Sequence, residues 1–459
     1  MAERFEIVEK AILSMLEGKK YSTLRDILST MNPNDVAGLF DGLEEKQIPL
    51  MYRLLPKELA AETFVEMEPE AQELLIRSFS DNELKEMLDE LYVDDAVDLV
   101  EEMPANVVNR ILKNADPEMR KSINQILRYP EYSAGSIMTT EFVSLRPNMT
   151  VEEAILRIRR QGVDKETIYT CYVLAKDRKL IGIVTVKDLL LAADDEMTIE
   201  ELMLTNVIYV NTKTDQEEVA QMFTKYNFLA MPVVDGEGRM VGIVTFDDAL
   251  DVLEEEATED MELMSGMTPS EKPYLRSSAF DLFKNRIPWL MLMMVSATFT
   301  GLIMTAFEDA LAAQIALSAF IPMLMGTGGN SGSQSSVTVI RGLSLNELDF
   351  SDIGVILWKE IRTALMCGVA LAVVCFVKIW LVDKLLFGND NITLMVDLVV
   401  CLALCVTVVV AKIVGCLLPM AAKAVKLDPA VMASPFISTI VDALSLLVYF
   451  LFAKTLLHI

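Results

Sequence analysis

The sequence predicts a multidomain chain. An α-helical superhelical N-terminal domain comes first, a duplicated α/β unit follows, and an all-α C-terminal domain of five transmembrane helices ends it. Three observations carry this prediction. Charge is partitioned unevenly, an α/β segment recurs at an offset of 60 residues, and five C-terminal stretches are apolar and long enough to cross a bilayer. Of 459 residues, 52% are apolar and 23% charged, with a net charge of −27, yet the mean hydropathy is +0.36. The partition resolves the conflict: residues 1–286 hold 56 acidic and 31 basic side chains, and residues 287–459 hold 11 and 9. Such a field repels a phosphate backbone, so nucleic-acid binding is excluded. Disorder, a fibrous chain and a wholly soluble enzyme are excluded with it. The expected boundaries are an acidic helical domain over 1–130, the duplicated unit over 131–262, a connecting helix over 263–286 and the transmembrane domain over 287–459.

Residues 1–130 read as helix throughout. DVAGLFDGL from Asp35, ELAAETFVEM from Glu58 and ELKEMLDEL from Glu83 recur at a spacing near 24 residues, which suits a superhelix of helix pairs. Acids crowd its last part. Asp94 and Asp98, four apart, share one helix face.

In the next segment LIGIVTVKDLL (180–190) recurs as MVGIVTFDDAL (240–250), and TVEEA (150–154) matches DQEEV (215–219). Each copy reads as a helix, two short β-branched strands and a second helix. Beyond it, DDALDVLEEEATEDME (247–262) places Asp248, Asp251, Glu255, Glu259 and Glu262 on one helical stripe, and no Lys or Arg lies between Asp247 and Glu271. Like charges at this spacing destabilise a helix, so the stripe calls for a counter-ion. Mg²⁺, which keeps its waters and needs only one or two carboxylates, suits it. A helix over about 270–286 is expected to lead to the membrane.

A span needs about 20 apolar residues, and the candidates are about 287–307, 311–340, 361–382, 394–420 and 429–453. The second is interrupted by PMLMGTGGNSGSQSS (322–336). Lys284, Arg286, Arg341, Lys359, Arg362, Lys423 and Lys426 fall on one side, which puts the N-terminus in the cytoplasm and the C-terminus outside a cell membrane. The start, MAERFEIVEK, lacks an apolar core and does not read as a signal peptide. The six cysteines show no CxxC spacing and His458 is the one histidine. Neither a zinc site nor histidine catalysis is therefore expected. No nucleophile–base pair or Walker motif is evident, and the chain reads as no enzyme and no ATP-driven pump.

Intramembrane carboxylates are costly and by default functional. Asp442 lies 13 residues past Pro429, about 20 Å along the last helix. Ser434, Ser438 and Ser445 share its face, and Pro435 frees the carbonyl of Val431. This line of oxygens suits a cation path. The alternative is an ion pair with Lys378 or Lys412. In the second span, Asn330 sits among Gly326, Gly328, Gly329 and Gly332. Glycines there fit either a pore-lining break or close helix packing.

The duplicated unit resembles a tandem pair of CBS domains. In that family the Gly-x-x-Thr-x-x-Asp element often binds an adenine nucleotide such as ATP, with the Asp on the ribose. The matching residues are Thr185 with Asp188 and Thr245 with Asp248; a helix-capping role for Asp188 stands beside this one. The whole chain resembles the MgtE family of magnesium channels and transporters, most specifically through PMLMGTGGNSGSQ (322–334) and DPAVMASPFISTIVDALSLLVYF (428–450). The resemblance implies a homodimer with the ion path on its axis. Asp442 would hold hydrated Mg²⁺, with Ser434, Ser438 and Asn330 contributing. It also implies gating by cytoplasmic Mg²⁺ at Asp94, Asp98, Asp215, Glu217, Asp248, Asp251, Glu256 and Glu259, locking the connecting helix over the pore. Two other functions remain open at this point. One is an ion-coupled secondary transporter of divalent cations with Asp442 as proton relay; the other is a membrane-anchored CBS nucleotide sensor.

Overall fold

The computed structural model describes the chain apart from residues 1, 271–273, 275, 276, 389–391, 433 and 459, and apart from the side chains of 2–7, 9, 17, 164 and 434. It divides into two compact units, Met1–Leu253 and Glu254–Ile459.

The first unit opens with ten helices: α1 (Ala2–Glu17), α2 (Tyr21–Leu28), α3 (Pro33–Phe40), α4 (Ile48–Tyr52), α5 (Lys57–Val65), α6 (Pro69–Ser78), α7 (Asp81–Leu88), α8 (Val93–Glu102), α9 (Ala105–Asn114) and α10 (Pro117–Ile126). From α3 onward they form pairs whose first members begin at Pro33, Lys57, Asp81 and Ala105, a strict repeat of 24 residues. Short helices result because turn signals recur so often: Asn32 and Asp116 cap α3 and α10, each followed by Pro, and Ser80 with Glu83 closes a capping box on α7. α8 shows the inward pattern plainly, with Val93, Ala96, Val97 and Val100 all buried.

Two copies of one α/β motif follow. The first holds β1 (Phe142–Leu145), α11 (Val151–Gln161), β2 (Thr167–Leu174), β3 (Leu180–Thr185), α12 (Val186–Leu190) and α13 (Ile199–Leu202). The second holds β4 (Val210–Asn211), α14 (Gln216–Tyr226), β5 (Ala230–Val234), β6 (Met240–Thr245) and α15 (Phe246–Met264). Each sheet has its first strand parallel and its third antiparallel to the middle one. The registers superimpose pair by pair: Thr170 faces Thr185 as Ala230 faces Thr245, and Val173 faces Gly182 as Val233 faces Gly242. The edge strands β1 and β4 are absent from the sequence reading; at four and two residues they are too short for an alternation signal. Met231, Val233, Val244, Ala249 and Val252 join one continuous core with α3–α10.

The second unit is helical: α16 (Ala279–Ala306), α17 (Glu308–Ala313), α18 (Ile321–Ser344), α19 (Ile353–Lys378), α20 (Leu394–Ala424) and α21 (Ser434–Leu457). Among the described residues, four helices are long and apolar enough to cross a membrane: Ala279–Ala306, Phe350–Leu386, Leu394–Ala424 and Pro429–Leu457. The glycines, serines and Asn330 of α18 keep it below that threshold. Two expectations change here. The second apolar stretch does not run helically from 311, because Gln314 ends α17 and a 3-10 turn fills Ile315–Phe320 before α18 begins. Nor do its glycines interrupt the helix: α18 is continuous, with Gly328, Gly329 and Gly332 packed against neighbours. Near the connection, α15 ends at Met264, Gly266 adopts a left-handed φ of +70°, and helix resumes at Ala279. The helix expected over about 270–286 is thus replaced by an earlier stop and a later start, and residues 271–273, 275 and 276 of it lie outside the described residues.

Candidate metal sites and membrane path

In the first unit, α8 and the start of α15 bring carboxylates together. Asp94 is buried (7% exposed), and its carboxylate accepts the Asp95 backbone N–H at 3.1 Å. Asp248 accepts from the Thr245 hydroxyl and backbone N–H, so the element that caps the helix also fixes the direction of this acid. Loss of hydration, followed by repulsion from neighbouring acids, raises the carboxyls of Asp94, Asp95, Asp98 and Asp248 above their ordinary range. The leading charge partner is Asp248 for Asp95 and Asp98, Asp95 for Asp94, and Asp94 for Asp248. Glu166, at the start of β2, is pushed up to about 9 by burial and then by Asp94 and Asp95. A cleft of 310 Å³ beside them is lined by Glu66, Asp95, Asp98, Glu102, Asp248 and Asp251 together with Phe64 and Leu99, and by no basic residue. Among the described residues no three acids or other ligand side chains converge tightly enough to hold a bare ion. The arrangement suits an ion that keeps its waters.

The structure therefore gathers Asp94, Asp98, Asp248 and Asp251. The Asp215 carboxylate accepts the Glu217 backbone N–H at 2.9 Å to cap α14, and the Glu217 carboxylate accepts the Gln221 amide. Asp188 closes a capping box with Thr185 on α12. Glu66, Asp95 and Glu166 were missed. Asp95 was visible within the acid run, but Glu66 and Glu166 are distant in sequence and carry no spacing signal.

In the second unit, Glu256 and Glu259 join Asp260 and Asp428. Partial burial first, then Asp428, Glu256 and Glu259, raise Asp260 to about 6, while its carboxylate accepts the Ser344 hydroxyl at 3.5 Å. Leu263 packs with Ile340 of α18 and Ala430, and a Cβ on Gly266 would meet Pro435 at 3.0 Å. The end of α15 thus rests on the cytoplasm-facing ends expected for α18 and α21. Asp260 escaped the sequence reading because it lies off the stripe.

Asp442 is half-buried on α21. Ser438, one turn before it, lies against Gly329, and Ser445, one turn after it, against Gly328, so Asp442 lies on the face that meets α18. Neither intramembrane lysine is its partner. Lys378 pairs with Asp383 at 2.8 Å and Lys412 with Glu360 at 3.6 Å. Among the described residues no hydrogen bond or ion pair holds Asp442, which is therefore available to a cation. Gly328, Gly329 and Gly332 serve helix packing, whereas Gly326, Asn330 and Gln334 form an exposed stripe at i, i+4 and i+8. The Ser434 side chain lies outside the described residues.

An acidic α/β-and-helix unit joined to apolar helices with an unpaired carboxylate among them defines a multi-pass membrane transport protein. Comparison with known proteins specifies it further. Residues 321–452 match the family model described as a divalent cation transporter, 16–132 the MgtE intracellular N domain, and 134–195 and 199–255 the CBS domain. The magnesium transporter MgtE of Thermus thermophilus is 36% identical over 98% of this chain and 99% of its own length; that of Bacillus subtilis is 32% identical over 99% and 98%. The chain belongs to the MgtE family. The crystal structure of the cytosolic domain of the Mg²⁺ channel MgtE in complex with ATP matches at 38% identity and a TM-score of 0.51. It covers 53% of this chain and 99% of its own. A second solved structure, the soluble part of a magnesium transporter, matches at 32% and 0.51, covering 55% and 99%.

Proposed function

We propose that the chain is a Mg²⁺ channel that admits Mg²⁺ to the cytoplasm and is closed by cytoplasmic Mg²⁺. The observation that carries this reading is Asp442, an intramembrane carboxylate whose two candidate counter-cations are both engaged elsewhere. An unpaired acid at this depth is stable only beside water or a cation. The family resemblance adds Ser434, Ser438 and Asn330 as further oxygen donors for the ion. The exposed stripe Gly326–Asn330–Gln334 on α18, which a single chain leaves uncovered, supports a homodimer whose two copies line one path, with α18 as the second of five spans. The basic residues at the helix ends support a cytoplasmic N-terminus and an outside C-terminus.

Gating follows from the acids. Hydrated Mg²⁺ bridges Asp94, Asp98, Asp248 and Asp251 between the helical domain (1–130) and the CBS pair (131–262), and also neutralises Glu256 and Glu259 around Asp260. With the repulsion relieved, the end of α15 stays on α18 and α21, with Gly266 against Pro435. When Mg²⁺ is scarce, the acids repel and the contact is lost. Asp215 caps α14, and a Mg²⁺ role for Asp215 and Glu217 is supported by the family resemblance alone. An adenine nucleotide at Asp188 modulates this gate. Its support is the CBS motif together with the ATP in the relative's cytosolic domain.

Patch recording tests the reading: current falls as Mg²⁺ on the cytoplasmic side is stepped from micromolar to millimolar. Ion-coupled transport is separated by flux at fixed voltage with and without a pH gradient, and strict proton coupling would sink the channel reading. A membrane-anchored nucleotide sensor would leave Mg²⁺ flux unchanged in Asp442→Asn.

A further inference from the structure

Three helices of the second unit meet at a buried polar joint that the path itself does not use. Lys412 of α20 is 5% exposed and donates to the Ser335 hydroxyl of α18 at 3.1 Å. Ser335, 1% exposed, donates in turn to Glu360 of α19 at 2.7 Å, and Lys412 lies 3.6 Å from the same carboxylate. The three side chains close a triangle. One turn along, α18 and α20 touch through glycine: the Gly332 carbonyl lies directly against Gly415, and a Cβ on Gly332 would meet Ile437 of α21 at 2.8 Å. Glycine contacts let helices come close but set no rotation, since they offer no directional bond. The triangle supplies that direction. Ser335 is one residue past Gln334 and five past Asn330, so its orientation sets, at about 100° per residue, where Asn330 and Gln334 point.

From this geometry we infer that Lys412, Glu360 and Ser335 are positioning residues that fix the axial rotation of α18 and thereby hold Asn330 and Gln334 toward the ion path. The inference rests on the pore reading given above. A buried ion pair contributes little net stability but is costly to break on one side, which fits a role in orienting α18 better than one in stabilising it.

The test uses the full-length protein in liposomes and compares Ser335→Ala, the charge-removing pair K412M/E360Q and the charge exchange K412E/E360K. For each, Mg²⁺ influx, the Mg²⁺-to-Na⁺ permeability ratio and the melting temperature are measured, with Asp442→Asn alongside. Ser335→Ala and K412M/E360Q lower the permeability ratio about tenfold while the melting temperature stays within a few degrees of the parent, and K412E/E360K restores the ratio to within threefold. A merely structural role moves the melting temperature and leaves the ratio of the folded protein unchanged. If Ser335→Ala keeps the parent's ratio while Asp442→Asn loses influx, the positioning role is wrong and the pore stands. If Asp442→Asn conducts as the parent does, the pore reading itself has failed.

Discussion

Replacing Asp442 by Asn keeps the shape and one oxygen acceptor and removes one charge, so it isolates the electrostatic contribution of this carboxylate to Mg²⁺ occupancy. With one water between them, a Mg²⁺ ion and a carboxylate oxygen are separated by about 4.5 Å. Two charges against one at that distance attract by about 1.8 kcal/mol if the site is as polarisable as bulk water, and by about 7 kcal/mol at an effective dielectric of 20. Asp442 is half-buried and among the described residues has no protein cation to share the field with, so its value lies between these limits. The lower limit already corresponds to about a twentyfold loss of occupancy at subsaturating Mg²⁺. The assay is initial Mg²⁺ influx into liposomes at clamped voltage, with external Mg²⁺ well below saturation and the same amount of folded protein. Asp442→Asn lowers that rate at least twentyfold. A rate within threefold of the parent would mean that the acid does not face the ion, and the assignment of the path to α18 and α21 would fall with it.

Four further outcomes follow from the same geometry. Asp98→Asn with Asp251→Asn leaves the current on at millimolar cytoplasmic Mg²⁺ and removes the Mg²⁺-dependent rise in melting temperature, both read on one preparation. Because Asp95, sitting near 7, and Glu166, near 9, bind protons more tightly in the folded unit than in the unfolded chain, the folded unit is penalised at high pH. The penalty fades as pH falls through these values, so without Mg²⁺ the melting temperature rises from pH 9 to pH 6, and saturating Mg²⁺ flattens that slope. Gly415→Ala places a Cβ on the Gly332 carbonyl and destabilises the membrane unit by about 1–3 kcal/mol or more. Gly326→Ala, with nothing within 4 Å, leaves the melting temperature in detergent unchanged.

Much of this architecture is legible in the residues because periodic signals are local. The 24-residue helix repeat, the 60-residue duplication and the apolar stretches need no knowledge of what packs on what. The acids show where this stops. Asp94 and Asp98 share a helix face by spacing alone, but Asp215, in an equally acidic run, caps α14 by accepting the Glu217 backbone N–H. Only tertiary packing tells a cap from a cluster. Glu166 and Glu66 reach the cluster from distant segments, and Glu360 finds Lys412 across two helices, so none of them leaves a mark in its own neighbourhood. The glycines of α18 read equally well as a pore-lining break or as packing; the answer depended on Thr407, Ser438 and Ser445 being beside them.

The gate proposed above uses acids dispersed around Asp98, Asp248 and Asp260, and their spacing sets what it can do. A rigid set of three carboxylates would hold a dehydrated ion firmly and would stay occupied across the physiological range, which suits structure and not sensing. Dispersed acids holding a hydrated ion bind weakly, and each contributes only about 1.4 kcal/mol when Mg²⁺ is tenfold above its dissociation constant. Moving a gate from mostly open to mostly closed takes about 5.5 kcal/mol of differential binding, so about four such sites must act together. In the gate proposed above, the carboxylates around Asp98 and Asp248, those around Asp260, and their counterparts in the proposed second copy would supply that number. The current must then fall steeply with Mg²⁺, with a Hill slope above 2 in inside-out patches. A slope of 1 would require a single strong site and would overturn the proposal of several weak sites acting together.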